Sequence, residues 1–358
     1  MPLVAYCNLP TFERLKDEGQ TVLTPRRATR QDIRELHIGL LNMLPATALE
    51  ATERQCFRLI GSSNQIAQFY VHPFTVEELE RGEKAREHIA QHYETYETIQ
   101  ENGLDALIIT GANLTQPDLS AEPFWKPLID VIRWASDNVT STFCSCLATH
   151  AVLQSEHGRS RSRLREKRWG VYSHRVVDRA HPLVADVNTL FDTPHSRFNE
   201  MTRADFTESG LHVLAESEDA GVHLAVSRDG FRRVFAQGHP EYDTISLLKE
   251  YKREVTRFER GERESYPPFP ENYFSPKKRA ILLEYQSKLK RALDAGATPP
   301  EFPEELIAAT LDNTWHDTGA AIVDKWVGKV YEITHQDRKT PFMDGVDPDD
   351  PLGLRSAT

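Results

Sequence analysis

The chain has 358 residues, 39% hydrophobic and 27% charged, which suits a globular enzyme with room for one large domain or two modest ones. Its net charge of -11 argues against a nucleic-acid binder that works through a broadly basic surface, while leaving local basic clusters free to meet an anionic substrate. No apolar run is long enough to span a bilayer and Met1 to Gly19 carries no signal-peptide core, so a cytoplasmic location away from the membrane is the expectation.

Taken in chain order, His37 to Leu44 is a short apolar run ending at Pro45 and reads as a buried strand. Ala48 to Leu59 has helical composition. Gln65 to Val71 reads as a second strand ending at the His72-Pro73 turn, and Leu104 to Thr110 as a third, followed by Gly111. Pro123 to Ser136 suits a helix with an apolar face. Thr140 to Ser145 is a fourth strand, with a helix from Leu147 to Glu156 directly after it. Strands alternating with helices predict an α/β fold with a mostly parallel central sheet and helices on both faces. Further strands are expected at Trp169 to Val177, Gly210 to Ala215, Gly221 to Ser227 and Arg232 to Gln237. They lie too close together for helical crossovers, which predicts antiparallel pairing there. A long helix is expected from Asp243 to Arg260, and an irregular connection from Gly261 to Pro276. Helices follow at Lys277 to Ala295 and Pro303 to Ile333, the second interrupted around Asp312 to Gly319.

The four cysteines, Cys7, Cys56, Cys144 and Cys146, are not a disulfide framework in a cytosolic chain of this size. The Cys144-x-Cys146 pair has neither a second cysteine pair nor a nearby His-x-x-x-His, so no metal site is expected. Cys146 falls where a strand turns sharply into a helix, which places its sulfur at the carboxyl edge of the sheet above a helix N-terminus. The helix amides favour a thiolate and can donate to an oxyanion. Ser145 and Ala148 are the small neighbours such an elbow needs. On its own the segment is equally compatible with an inert buried cysteine. Cys144, inside the strand and further from the turn, is the competing nucleophile.

Gln237 to Asp243 brings a base: a strand ends at Gly238, and His239-Pro240-Glu241 holds an imidazole and a carboxylate across a rigid turn. That is the base and orienter which nucleophilic catalysis requires. His150, on the helix after Cys146, reads as a packing residue. The loop Thr110 to Thr115 lies at the functional edge of the sheet, where its small residues let backbone amides approach a reacting carbonyl.

Together these segments resemble the homoserine O-succinyltransferase family, whose fold is like that of class I glutamine amidotransferases. The resemblance is carried by Leu41-Asn42-Met43-Leu44-Pro45, Ile109-Thr110-Gly111-Ala112, Gly170-Val171-Tyr172, Pro194-His195-Ser196-Arg197 and Asn272-Tyr273-Phe274. The most specific match is Gly238-His239-Pro240-Glu241-Tyr242-Asp243. It implies a class I glutamine amidotransferase-like α/β catalytic domain over residues 36–260, with an N-terminal arm over 1–35. A C-terminal helical extension over 261–335 would pack on it, and 336–358 would form a loose tail.

The implied reaction moves an acyl group from acyl-coenzyme A, a co-substrate and not a permanently bound cofactor, to the hydroxyl of homoserine. Cys146 is the implied nucleophile, His239 the base and Glu241 its orienter. The oxyanion hole would come from Leu147 with Gly111 and Ala112, and the amino acid's polar end would meet Ser196, Arg197 and Arg253. Homoserine and acyl-CoA are the partners implied, with a homodimer as the assembly. Two positions depart from the family: Ala46 stands where a lysine is usual, and Thr115 where glycine accompanies succinyl transfer and glutamate acetyl transfer. Lacking a negative charge, Thr115 leans the expectation toward succinyl. Acylation of serine and hydrolysis of glutamine are the competing reactions, and the basic run Arg159 to Arg168 reads as a solvated loop.

Overall fold

The computed structural model describes residues 3–29, 33–63 and 67–355. Among them, eleven strands form one sheet. In chain order they are β1 (Leu3–Val4), β2 (Val22–Leu23), β3 (Glu35–Leu41), β4 (Gln68–Phe74), β5 (Ala106–Ile109) and β6 (Ser141–Ser145), followed by β7 (Ser162–Val176), β8 (Leu190–Glu200), β9 (His212–Ser217), β10 (Gly221–Val226) and β11 (Arg233–Ala236). Their spatial order is β2-β1-β4-β3-β5-β6-β11-β10-β9-β7-β8. From β2 to β11 the neighbours run parallel, and from β11 onward they run antiparallel.

The parallel part is apolar on both faces, because each strand sends alternate residues to two helical layers. Ala106 and Ile108 join helices Pro10–Asp17, Leu49–Ser62 and His316–Ile333 in one core. Leu107, Ile109 and Cys144 join helices Trp125–Asn138 and Leu147–His157 in the other. A third apolar cluster lies at the antiparallel end. There Trp169 and Val171 meet Leu247, Leu248 and Tyr251 of helix Ser246–Glu259 and Leu282 and Leu289 of helix Pro276–Asp294.

Several expectations shift. Gln65 and Ile66, the expected start of the second strand, lie outside the described residues. That strand runs through His72-Pro73 to Phe74 instead of turning there. Its far neighbour β1 reaches only Phe69, so the missing Pro73 N–H breaks no ladder bond. Helix Ser246–Glu259 starts later than Asp243, whose carboxylate is held by Arg54 and Arg58. The basic run is not a solvated loop: from Ser162 it is the first half of β7, paired with β8 across a register shift between Arg163 and Arg168. β8 carries no apolar periodicity and was not expected. Residues 336–355, expected to be loose, lie on the core, where Phe342, Val346 and Leu352 touch it and Thr140 donates to the Pro341 carbonyl.

The connection at 261–275 is irregular as expected, yet it is pinned. Glu271 bridges Gly170 of β7. Gly170 has φ of +154°, and a Cβ there would lie 2.3 Å from the Glu271 carbonyl oxygen. Only glycine permits that approach.

Candidate active site

Strand β6 ends at Ser145 and helix Leu147–His157 begins two residues later. Cys146 makes the turn with φ of +49° and ψ of −103°, a conformation that L residues adopt only at a cost of roughly 1–3 kcal/mol. Three hydrogen bonds hold it there. The Cys146 N–H donates to the Ala236 carbonyl on β11 at 2.6 Å, His150 N–H donates to the Cys146 carbonyl at 3.4 Å, and the Thr149 hydroxyl donates to the Cys144 carbonyl at 2.8 Å. The sulfur of Cys146 is thereby turned out of the sheet, and the residue is half-buried at a cleft. Cys144 is fully buried, and burial pushes its thiol up to about 12, which leaves it protonated and inert.

Strand β11 delivers His239 from the adjacent position. His239 N–H donates to the Pro194 carbonyl at 2.8 Å, and His239 Nδ1 meets Glu241 Oε1 at 2.8 Å. Cys146 lies close enough to the ring to help raise its pKa. Burial by itself would strip the proton from this imidazole. The charge of Glu241, with contributions from Cys146, outweighs it and raises His239 to about 10. The Tyr242 ring stacks on the imidazole, centroids 4.5 Å apart, and fixes its plane. The three side chains expected to act together therefore do meet.

Leu147 supplies the first free amide of its helix, and the loop at Gly111 lies over it. A Cβ on Gly111 would sit 4.0 Å from Leu147 N and 3.8 Å from the Cys146 Cβ, so any larger side chain would grow into the space above the sulfur. Ala112 lines the same cleft. Thr115 does not. Its amide and hydroxyl are both taken by the Glu122 carboxylate, at 2.6 and 3.0 Å.

The residues expected to hold the amino acid are placed unequally. Ser196, Arg197 and Arg253 all line the cleft. The Ser196 hydroxyl, however, donates to Glu250 at 2.7 Å. Arg197 is buried and spends its donors on His195 Nδ1 and the carbonyls of Asn199 and Ala220. Arg253 is about half exposed on the rim, 3.6 Å from Glu254.

Other residues of the site had no signature in the sequence. Glu250 accepts from Ser196, from Lys167 and from Tyr242, the last two at 2.9 Å, so one buried carboxylate ties β7, β8 and the histidine loop together. Burial would raise its pKa, but Lys167 and the two hydroxyls hold it below the ordinary carboxylate range. Its helical neighbours in sequence are charged like any solvated face, so the tertiary contacts alone distinguish it. Behind His239 lie three more buried imidazoles, His174, His195 and His223. Among the described residues no three His, Cys, Asp or Glu side chains are placed to hold a metal ion. His150 is buried as expected, against Gln237 at 3.2 Å, and also borders the cleft.

The cleft measures about 1020 Å³ and is bordered by Arg161, Arg163, Lys167, Arg197, Arg253, Arg257 and Arg263, with Glu166, Glu254 and Glu271. In a chain of net charge −11 this is a local excess of positive charge, suited to a polyanionic ligand. Pro268 and Phe269 of the irregular connection close one side.

A thiol, a charged imidazole and a donor-lined hollow at the carboxyl edge of a parallel sheet are the parts of an acyl-transfer site. Comparison with known proteins agrees with that chemistry. The family model described as homoserine O-succinyltransferase matches residues 2–336. A homoserine O-succinyltransferase of Allochromatium vinosum is 66% identical over 354 residues, 99% of each chain. One from Nitrosococcus oceani is 66% identical over the whole of both chains. One from Cardiobacterium hominis is 48% identical, over 99% of each. Among solved structures, a glutamine amidotransferase of Methylobacillus flagellatus aligns with a TM-score of 0.44 at 11% identity, over 83% of this chain and 95% of that one. The chain belongs to the homoserine O-succinyltransferase family.

Proposed function

We propose that this cleft transfers a succinyl group from succinyl-coenzyme A to the hydroxyl of homoserine through a thioester on Cys146, a step of methionine synthesis. The observation that carries the reading is that Cys146 borders a basic cleft and lies beside a charged His239–Glu241 pair. The relatives, homoserine O-succinyltransferases, supply the acyl group and the acceptor.

In the first half, His239 holds the thiol proton and the Cys146 sulfur attacks the thioester carbonyl. The carbonyl oxygen becomes an oxyanion facing Leu147 N–H and the Gly111–Ala112 loop. Collapse forms the Cys146 thioester and breaks the bond to the coenzyme sulfur, which leaves with the proton from His239. In the second half, the homoserine hydroxyl attacks that thioester and gives its proton to His239. The ester C–O bond forms, the C–S bond breaks, and the proton returns to Cys146.

The charge balance suits both halves. Glu241 and Cys146 together outweigh burial and hold His239 near 10. Once the sulfur is acylated its contribution is gone, the imidazole pKa falls, and His239 becomes a base able to accept the hydroxyl proton. Arg253 at the rim takes the amino-acid carboxylate. Arg197 and Ser196, whose donors are committed inside the protein, set the wall it rests on. Arg163, Arg257 and Arg263 serve the coenzyme phosphates.

Residues 36–260 thus hold the reacting groups, and 261–335 complete the cleft by packing on them. A cytoplasmic homodimer without a permanent cofactor is part of the same reading, and among the described residues no helix is long and apolar enough to cross a membrane.

Intact mass after incubation with succinyl-CoA tests the reading. A succinyl adduct is expected on the wild type and none on Cys146→Ala, and homoserine should discharge it. Discharge by serine alone would replace the acceptor, and glutamine hydrolysis without any adduct would defeat acyl transfer.

A further inference from the structure

The loop that follows β5 is clamped from two sides, and the clamp leaves one donor over. Glu122 collects the Thr115 amide, the Thr115 hydroxyl and the Gln116 amide, the last at 2.7 Å. From across the loop, Arg161 Nη2 donates to the Pro117 carbonyl at 3.1 Å. Arg161 Nη1 is sealed from solvent and has no hydrogen-bond partner. Leaving a shielded guanidinium nitrogen unpaired costs free energy that an incoming acceptor would recover.

The other buried cations of the cleft are already matched: Lys167 by Glu250, and Arg197 by His195 and backbone carbonyls. Among the described residues that border the cleft, Arg161 Nη1 is the buried guanidinium or ammonium nitrogen left without an acceptor. Arg161 shares the cleft with Cys146 and lies close enough to feel its charge, together with those of Glu122, Asp118 and Arg163. It comes from the side of the loop that follows Gly111, where it holds the Pro117 carbonyl. Thr115, expected to select the acyl group, has its hydroxyl turned onto Glu122 and presents nothing to the cleft.

We propose that Arg161, its guanidinium turning to bring the shielded Nη1 into the cleft, receives the distal carboxylate of a dicarboxylic acyl group carried on Cys146, which makes Arg161 the specificity-determining residue for the acyl donor. This rests on the acyl-transfer reading of the cleft and deepens it. In a four-carbon acyl group the thioester carbon and the distal carboxyl carbon are joined through three C–C bonds, a span of about 4 Å. The loop that carries the oxyanion donors is thus also the loop that the carboxylate receptor braces. An acyl group without the distal charge would leave Nη1 unpaired, so it would be discriminated against by the same desolvation that the empty site already bears.

The test compares succinyl-CoA with butyryl-CoA, which has the same number of acyl carbons and a methyl group in place of the carboxylate. The quantity read is the ratio of kcat/KM for acylation of Cys146, from release of free coenzyme thiol. The wild type is expected to favour succinyl by about 50-fold, with the ratio falling to within about threefold in Arg161→Gln and to an intermediate value in Arg161→Lys. Thermal melts accompany both variants; should Arg161→Gln not fold, the fall in Arg161→Lys decides. A ratio unchanged in the variants, or loss of both donors in parallel, would overturn the assignment and leave Arg161 a brace for the loop. A wild type acylated by neither donor would defeat the acyl-transfer reading itself, and the assignment with it.

Discussion

His239 and the three imidazoles behind it occupy neighbouring regions of one sheet edge and are similarly buried, yet His239 is charged and the other three are neutral. In His174, His195 and His223 burial goes largely unopposed: His174 is lowered to about 4, and the other two fall well below the ordinary range. Their partners are one another, Arg197 and backbone. Arg197 Nε can only donate, so His195 Nδ1 accepts at 3.3 Å and its proton lies on Nε2. That nitrogen donates to His174 Nε2 at 3.1 Å, and His174 Nδ1 donates to the Tyr172 carbonyl at 2.8 Å. The Gly238 N–H donates to His223 Nδ1 at 3.3 Å. This region consists of neutral rings joined in one direction. His239, next in the chain after Gly238, differs by a single carboxylate. The same burial strengthens its attraction to Glu241 and to Cys146, and the proton stays. What sets His239 apart is the partner supplied, not the depth.

Removing that carboxylate is the largest expected perturbation. Glu241→Gln should make His239 resemble its neighbours, and kcat/KM should fall by about 10³-fold. In an NMR titration the wild-type ring is expected to keep its proton to about pH 10, and the variant's ring to lose it below 7. A variant ring still charged at pH 8 would break the comparison.

The two regions are kept apart by Gly238. A Cβ there would lie 2.6 Å from Thr193 Cγ2, 2.8 Å from His195 Nε2 and 2.9 Å from His223 Nδ1. Gly238→Ala should therefore cost about 2–3 kcal/mol in urea unfolding and displace His239 from the sulfur. Stability within 0.5 kcal/mol of wild type would mean that the rings behind it yield easily.

Stability against pH separates the regions by sign. The lowered histidines contribute stability that is present above their unfolded value of 6.5 and is lost as pH falls toward their folded values. For His174, whose folded value is about 4, that loss is on the order of 2 kcal/mol between pH 6.5 and 4.5. The raised His239 contributes stability that is full below 6.5 and is lost as pH rises through about 10. Urea midpoints should decline on both sides, and His174→Gln should flatten only the acid limb. A midpoint flat from pH 7 to 4.5 would show that the trio is not held neutral.

The smallest effect concerns the cysteines, which offer the same contrast in miniature. Iodoacetamide should label Cys146 and spare Cys144. Cys144→Ala should retain the acyl adduct while losing about 1 kcal/mol of stability for the small cavity. Labelling of Cys144 in the folded protein would contradict its burial.

The strands near Cys146 and His239 were legible because buried parallel strands are continuous apolar runs, and Cys146 falls where one of them stops. The length of β7 and the existence of β8 were not. Arg163, Lys167 and Arg197 lie within paired strands because their chains border a cleft and meet Phe198, Glu250 and the Ala220 carbonyl respectively, contacts made far along the sequence. Alternation of apolar and polar residues marks strands that cover a core, and these strands line a hollow. The late start of helix Ser246–Glu259 has the same kind of cause, since Asp243 is held by arginines almost two hundred residues earlier.

By itself the amino-acid order determined a sheet with helices on both faces, the elbow at Cys146 and the pairing of His239 with Glu241, because each depends on residues a few positions apart. Tertiary structure alone decided which cysteine faces the cleft, which histidines keep a proton, and that Arg197 is spent inside the protein while Arg161 keeps a donor to spare. Charge and hydrogen bonding depend on which groups burial brings together, and no local pattern records that.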